Sequence, residues 1–76
     1  MMYKLYLLND DIHSFEDVRF MLKRYLAYPN LQADSISTIT DQVGRCVIKS
    51  DDELEDLELL KEMMLKDGFK VEIKYE

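Results

Sequence analysis

The sequence predicts an α+β two-layer sandwich, and three observations carry that reading. The 76 residues divide into apolar runs that read as strands and longer stretches with helical periodicity. Their order is strand, helix, helix, strand, helix, strand (β-α-α-β-α-β). The last run, Phe69-Lys70-Val71-Glu72-Ile73-Lys74-Tyr75, alternates apolar and polar strictly, as a half-buried strand does. Strands with one apolar face need helices on that face, which gives a three-stranded antiparallel sheet covered on one side.

The first strand is Tyr3-Lys4-Leu5-Tyr6-Leu7-Leu8, rich in aromatic and branched residues and stopped by Asn9-Asp10-Asp11. Ser14 opens the first helix, with Asp17 three residues on in the capping-box position. Phe15, Val18, Leu22 and Tyr25 form its predicted inward stripe, flanked by Met21 and Leu26, while Phe20 falls on the opposite face. Tyr28-Pro29-Asn30 interrupts the pattern, because proline lacks an amide donor and restricts its predecessor.

A second helix is predicted from about Leu31 to Gln42, with Ile36, Ile39 and Val43 as its apolar stripe. Ser37, Thr40 and Asp41, at i, i+3 and i+4, share a neighbouring polar face. Gly44 suits a C-cap. Arg45 to Lys49 reads as the second strand, and Ser50-Asp51-Asp52-Glu53 as a capping box for a third helix ending near Asp67. Leu54, Leu57, Leu60 and Met64 are its inward residues, and Gly68 ends it.

Length and charge limit the function. Residues 1–76 are expected to form a single domain, and a chain this short buries only about 60% of its unfolded surface. The net charge of −6, with 16 acids against 10 bases, argues against nucleic acid, which needs a basic patch. It is compatible with a partner that is basic or carries an amino group. No stretch approaches the roughly 20 apolar residues of a membrane span, and no secretory signal opens the chain. A cytoplasmic monomer is expected.

Cys46 is the only cysteine and His13 the only histidine. One thiol makes no disulfide and no zinc framework, and it suits the cytosol. Flanked as Arg45-Cys46-Val47-Ile48, it reads as a structural residue of a strand, and a Cys-His catalytic pair would have only these two residues to draw on. The methionines and leucine stripes read as core rather than as a cofactor site, and no cofactor is expected.

Asn9-Asp10-Asp11 has two readings. Such residues punctuate turns because they bond their own backbone. Their second reading, as a functional site, depends on the rest of the chain.

Asn9-Asp10-Asp11 directly after a short first strand, followed by a helix opening on Phe15-Glu16, resembles the ClpS family of adaptors for the Clp protease. The resemblance spans nearly the whole chain. It continues through Thr40-Asp41-Gln42-Val43-Gly44, where the family commonly has a Val-His pair with Gly three residues after the His, and through Gly44-Arg45-Cys46 to Lys49-Ser50 and the Glu55-Asp56-Leu57 helix. It implies a fold also seen in the C-terminal domain of a ribosomal stalk protein, and a binding module rather than an enzyme. Its partners would be proteins whose first residue is Leu, Phe, Tyr or Trp, and the N-domain of a Clp AAA+ unfoldase. Asn9, Asp10, Asp11 and Asp41 are then the expected contacts of the free α-amino group. His13, Phe15, Val18, Ser37, Thr40 and Val71 are the expected lining of the side-chain pocket.

Some positions depart from the family. Asp41 stands where a histidine usually contacts the amine, and Ser37 where a methionine often gates the pocket. The resemblance is to a short, diverged member expected to lack the family's flexible N-terminal extension, and the third helix lacks the usual residues held to touch the unfoldase. One alternative is a diverged ClpS-like module that binds another protein through the Phe20 face, in competition with a true adaptor. A cation or enzyme site built from Asp10, Asp11 and Asp41 is another, although no nucleophile-base pair or phosphate loop accompanies them.

Overall fold

The first strand occupies the middle of the sheet, and the computed structural model describes residues 1–76 around it. The elements are β1 (Tyr3–Leu8), α1 (Phe15–Leu26), α2 (Asn30–Val43), β2 (Arg45–Asp51), α3 (Leu54–Lys66) and β3 (Lys70–Tyr75). The sheet order is β2-β1-β3, with β1 antiparallel to both neighbours. The architecture is the α+β arrangement that the periodicities predict.

Pleating sorts β1 residue by residue. Leu5 and Leu7 are closed off from solvent in the core. Tyr6, between them, turns to the other face, where Arg45 and Lys74 lie 4.9 and 5.9 Å from its ring centroid and its hydroxyl donates to Glu76. Leu5 pairs with Lys49 but Tyr6 with Val47, so Ile48 is an extra residue on β2. That bulge leaves Ile48 buried within the core. Leu22, Ala33, Ile36, Leu57, Met64, Phe69 and Val71 complete most of the same cluster. Against the sheet, α3 packs on all three strands and α2 on β2, while α1 packs chiefly on α2.

The Ser14 capping box forms as predicted, with Asp17 N–H donating to Ser14 Oγ at 3.1 Å and Ser14 N–H to Asp17 Oδ2 at 2.8 Å. Phe20 is exposed, also as predicted. Three local expectations fail. Phe15 is exposed rather than inward, because the first turn of α1 borders a surface groove beside α2, and Met21 and Leu22 supply the core contacts instead.

On α2 the predicted stripe is displaced. Ile36 is buried, but Ile39 is partly exposed and Val43 is 72% exposed, while Ser37 and Thr40 are buried. Ser37 Oγ–H donates to Ala33 O at 2.9 Å and Thr40 Oγ1–H to Ile36 O at 2.8 Å. A hydroxyl satisfied by its own helix is cheap to bury, so polarity did not decide which face turned inward.

The Ser50–Glu53 capping box does not form. Lys4 pairs with Ser50 and Tyr3 with Asp51, so the ladder carries β2 two residues beyond the predicted Lys49. The N-cap of α3 falls to Glu53, whose side chain caps nothing, and Asp51 Oδ1 accepts from Glu53 N–H at 3.0 Å.

Candidate functional site

The joint after β1 is tied to the end of α2. Asn9 N–H donates to Gly44 O at 2.9 Å, and Gly44 N–H donates to Thr40 O at 2.9 Å. Gly44 closes the helix at φ 99°, a conformation that favours glycine. These two bonds bring the turn that bears Asn9 beside the last turn of α2, which bears Thr40 and Asp41.

Asp10 gives the joint its shape. Its Oδ1 accepts from Ile12 N–H at 2.9 Å and His13 N–H at 2.7 Å, and its Oδ2 lies 2.8 Å from His13 Nδ1. Burial pushes the Asp10 carboxyl up, but the backbone and ring bonds from His13, with the bond from Ile12, outweigh it and hold it below its usual value. The His13 ring in turn stacks on Phe69, with centroids 3.8 Å apart and planes at 17°. Its Cε1–Nε2 edge lies against Gly68, where an added Cβ would meet the ring at 3.5 Å.

Between α1 and α2 lies a cavity of about 190 Å³, lined by Asn9, His13, Ser14, Phe15, Val18, Ser37, Thr40 and Asp41. Burial grades this lining from mouth to floor. Asn9, Ser14, Phe15 and Asp41 are exposed and form the rim; His13 and Val18 are half-buried walls; Ser37 and Thr40, at 4% and 3% exposure, are the floor. The side chains of Asn9 and Asp41 make no hydrogen bond or ion pair within the chain, so a carbonyl and a carboxylate stand unengaged at the mouth.

A larger hollow, about 510 Å³, lies on the other side of His13, lined by Asp17, Phe20, Met21, Arg24, Asp67 and Phe69 as well. Size alone does not make it the better site. Both of its carboxylates are engaged, Asp17 with Ser14 N–H and Asp67 with the Tyr25 hydroxyl. Its free polar group is the Arg24 guanidinium, a donor, whereas the rim of the smaller cavity has unengaged acceptors to offer.

Seven residues that the sequence singles out therefore meet at one cavity: Asn9, His13, Phe15, Val18, Ser37, Thr40 and Asp41. Three others do not line it. Asp10 is turned inward to His13, Asp11 is exposed outside the lining, and Val71 is in the core, paired with Leu7. Ser14 belongs to the rim unforeseen. So does the bracing of His13 by Phe69, since nothing in the sequence connects position 13 with the start of the last strand. Asp10, Asp11 and Asp41 do not converge, and no three carboxylate, imidazole or thiol groups meet at a spacing that holds a metal. The Cys46 thiol is half-buried, and that burial pushes its pKa up, the opposite of an activated nucleophile. No helix is long and apolar enough to cross a membrane.

The family model described as ATP-dependent Clp protease adaptor protein ClpS matches residues 1–71. Among solved structures, that of Agrobacterium tumefaciens ClpS2 bound to L-phenylalaninamide is similar at a TM-score of 0.73 and 20% identity, over 96% of each chain. No curated protein matches the sequence.

Proposed function

Since the chain belongs to the ClpS family of ATP-dependent Clp protease adaptors, we propose that its small cavity receives the first residue of other proteins. The observation that carries this is the unengaged pair, Asn9 and Asp41, at the mouth of a cavity lined by Phe15 and Val18. A free α-amino group has three donors and a positive charge; a carbonyl and a carboxylate at the rim accept from it and oppose that charge. The bulky apolar side chain on the same residue (Leu, Phe, Tyr or Trp) enters between the helices. Asp10 acts through His13, which it orients as one wall, and Asp11 adds negative charge outside the rim. A cavity known to hold benzene measures about 150 Å³, so about 190 Å³ is room enough for an aromatic side chain. The similar Agrobacterium protein is bound to L-phenylalaninamide, which joins a free α-amine to a benzyl group, and that supports a ligand of the same chemistry.

In this reading the bound protein is presented, in the cytosol, to the N-domain of a Clp unfoldase. The deciding titration uses a labelled peptide beginning with Phe and the same peptide acetylated. Acetylation removes the charge and two donors, so the first should bind and the second should not. Equal binding, or none by either, favours the other reading, a protein partner docking through Phe20. That reading draws support from a ring 73% exposed beside the larger hollow.

A further inference from the structure

The floor of the small cavity is not apolar, although Phe15 and Val18 above it are. Ser37 and Thr40 are its two buried lining residues, one helical turn apart on α2. Each hydroxyl hydrogen is already committed, Ser37 to Ala33 O and Thr40 to Ile36 O. A hydroxyl has one hydrogen to donate and two lone pairs that accept. With the hydrogens committed to the helix, both floor oxygens can only accept, and no side chain of the chain donates to either.

We propose that this floor makes the cavity selective for a first residue whose side chain ends in a hydrogen-bond donor, tyrosine ahead of phenylalanine. The inference rests on the binding reading above and adds the identity of the preferred side chain. A first residue with its amine at the rim extends its side chain from Asn9 and Asp41 toward Ser37 and Thr40. A phenyl ring fills the walls but sets a C–H edge against two acceptor oxygens. A phenol fills the same walls and its O–H donates to one of them. The volume allows it, since about 190 Å³ leaves room beyond a benzene ring for one more heavy atom. An acceptor at the tip gains nothing, because the floor has no free hydrogen. The selectivity is therefore for donation and not for polarity.

The test compares three peptides, identical but for a first residue of Tyr, Phe or 4-fluorophenylalanine, each free and acetylated. Tyr should bind about fivefold more tightly than Phe, the worth of one net hydrogen bond. The fluoro peptide, close to tyrosine in shape but without a donor, should follow Phe. In Ser37→Ala or Thr40→Val the Tyr-to-Phe ratio should fall toward one. A wild-type ratio of one or below, a fluoro peptide that binds as tightly as Tyr, or a ratio unchanged in both variants overturns the proposal while leaving first-residue binding intact. If acetylated and free peptides bind alike, or none binds, the binding reading fails and this one with it. A variant that does not fold leaves the wild-type comparison to decide.

Discussion

His13 Nδ1 lies 2.8 Å from Asp10 Oδ2, and the Cε1–Nε2 edge of the same ring lies against Gly68, just beyond α3. One imidazole thus ties the turn after β1 to the turn before β3, with its face stacked on Phe69. The candidate site is shaped by this chain of contacts, which makes Asp10 the residue to remove first.

Asp10→Ala leaves His13 Nδ1, His13 N–H and Ile12 N–H without their acceptor. Hydrogen bonds to a charged group are worth about 1.5–3 kcal/mol, so the midpoint of thermal unfolding should fall by several degrees. The pH dependence has a definite sign. The folded Asp10 carboxyl is held below its ordinary value, so its stabilisation is complete above the unfolded carboxylate pKa of about 3.9 and is lost as pH falls through the lower folded value. Melting curves of the wild type and Asp10→Ala should stay apart from pH 7 to 5 and converge below about pH 4. A gap that persists unchanged at lower pH assigns the effect to packing.

Asn9→Ala tests the rim. The Asn9 backbone N–H holds Gly44 O, but its side chain holds nothing. Thermal stability should therefore shift by no more than about 0.5 kcal/mol, as at ordinary surface positions. Affinity for a peptide with a free Phe terminus should drop by at least about 1 kcal/mol, the scale of a bond to a charged donor. Calorimetry of both quantities separates the roles. A large loss of stability with unchanged affinity would return Asn9-Asp10-Asp11 to plain turn punctuation.

How far the sequence could be read depended on whether a signal was local. The helices and strands, the Ser14 cap and the exposed Phe20 follow from periodicity and from bonds between residues three apart. Whether Ser50 caps a helix or extends a strand was settled by Tyr3 and Lys4, almost fifty residues away in the chain, and no local rule contains that information. The inward face of α2 was misjudged for a different reason. Ser37 and Thr40 satisfy themselves on their own helix, so their polarity no longer marks an outer face. Among the site residues, the family resemblance supplied the positions, and the structure places the Asp10 carboxylate on His13 and Val71 in the core.

Ser37→Met fills the floor. The longer side chain enters a cavity of about 190 Å³, so it should discriminate by size among first residues. Changes of one methylene in an apolar pocket are worth about 1–3 kcal/mol, so the expected outcome is a change in the ranking of Leu and Phe peptides, with Phe disfavoured relative to Leu. Competition titrations measure that ranking directly. An unchanged order would show that ligands do not reach the level of Ser37.

Asp41 gives the last test, through charge. It stands at the rim with no partner inside the chain, near Asn9. A carboxylate there attracts a free α-amine by charge as well as by hydrogen bonding, so affinity should decline as salt is added and Asp41→Asn should weaken both the affinity and its salt dependence. A histidine in the same place titrates near 6.5 and as a cation can neither accept from the amine nor attract it. Asp41→His should therefore introduce a loss of binding on acidification. The comparison also exposes its own competitor. The only native histidine, His13, is a cavity wall hydrogen-bonded to Asp10 and stacked on Phe69. If the unaltered protein shows the same loss as Asp41→His, the pH dependence comes from another group of the cavity and Asp41 is not a contact of the amine.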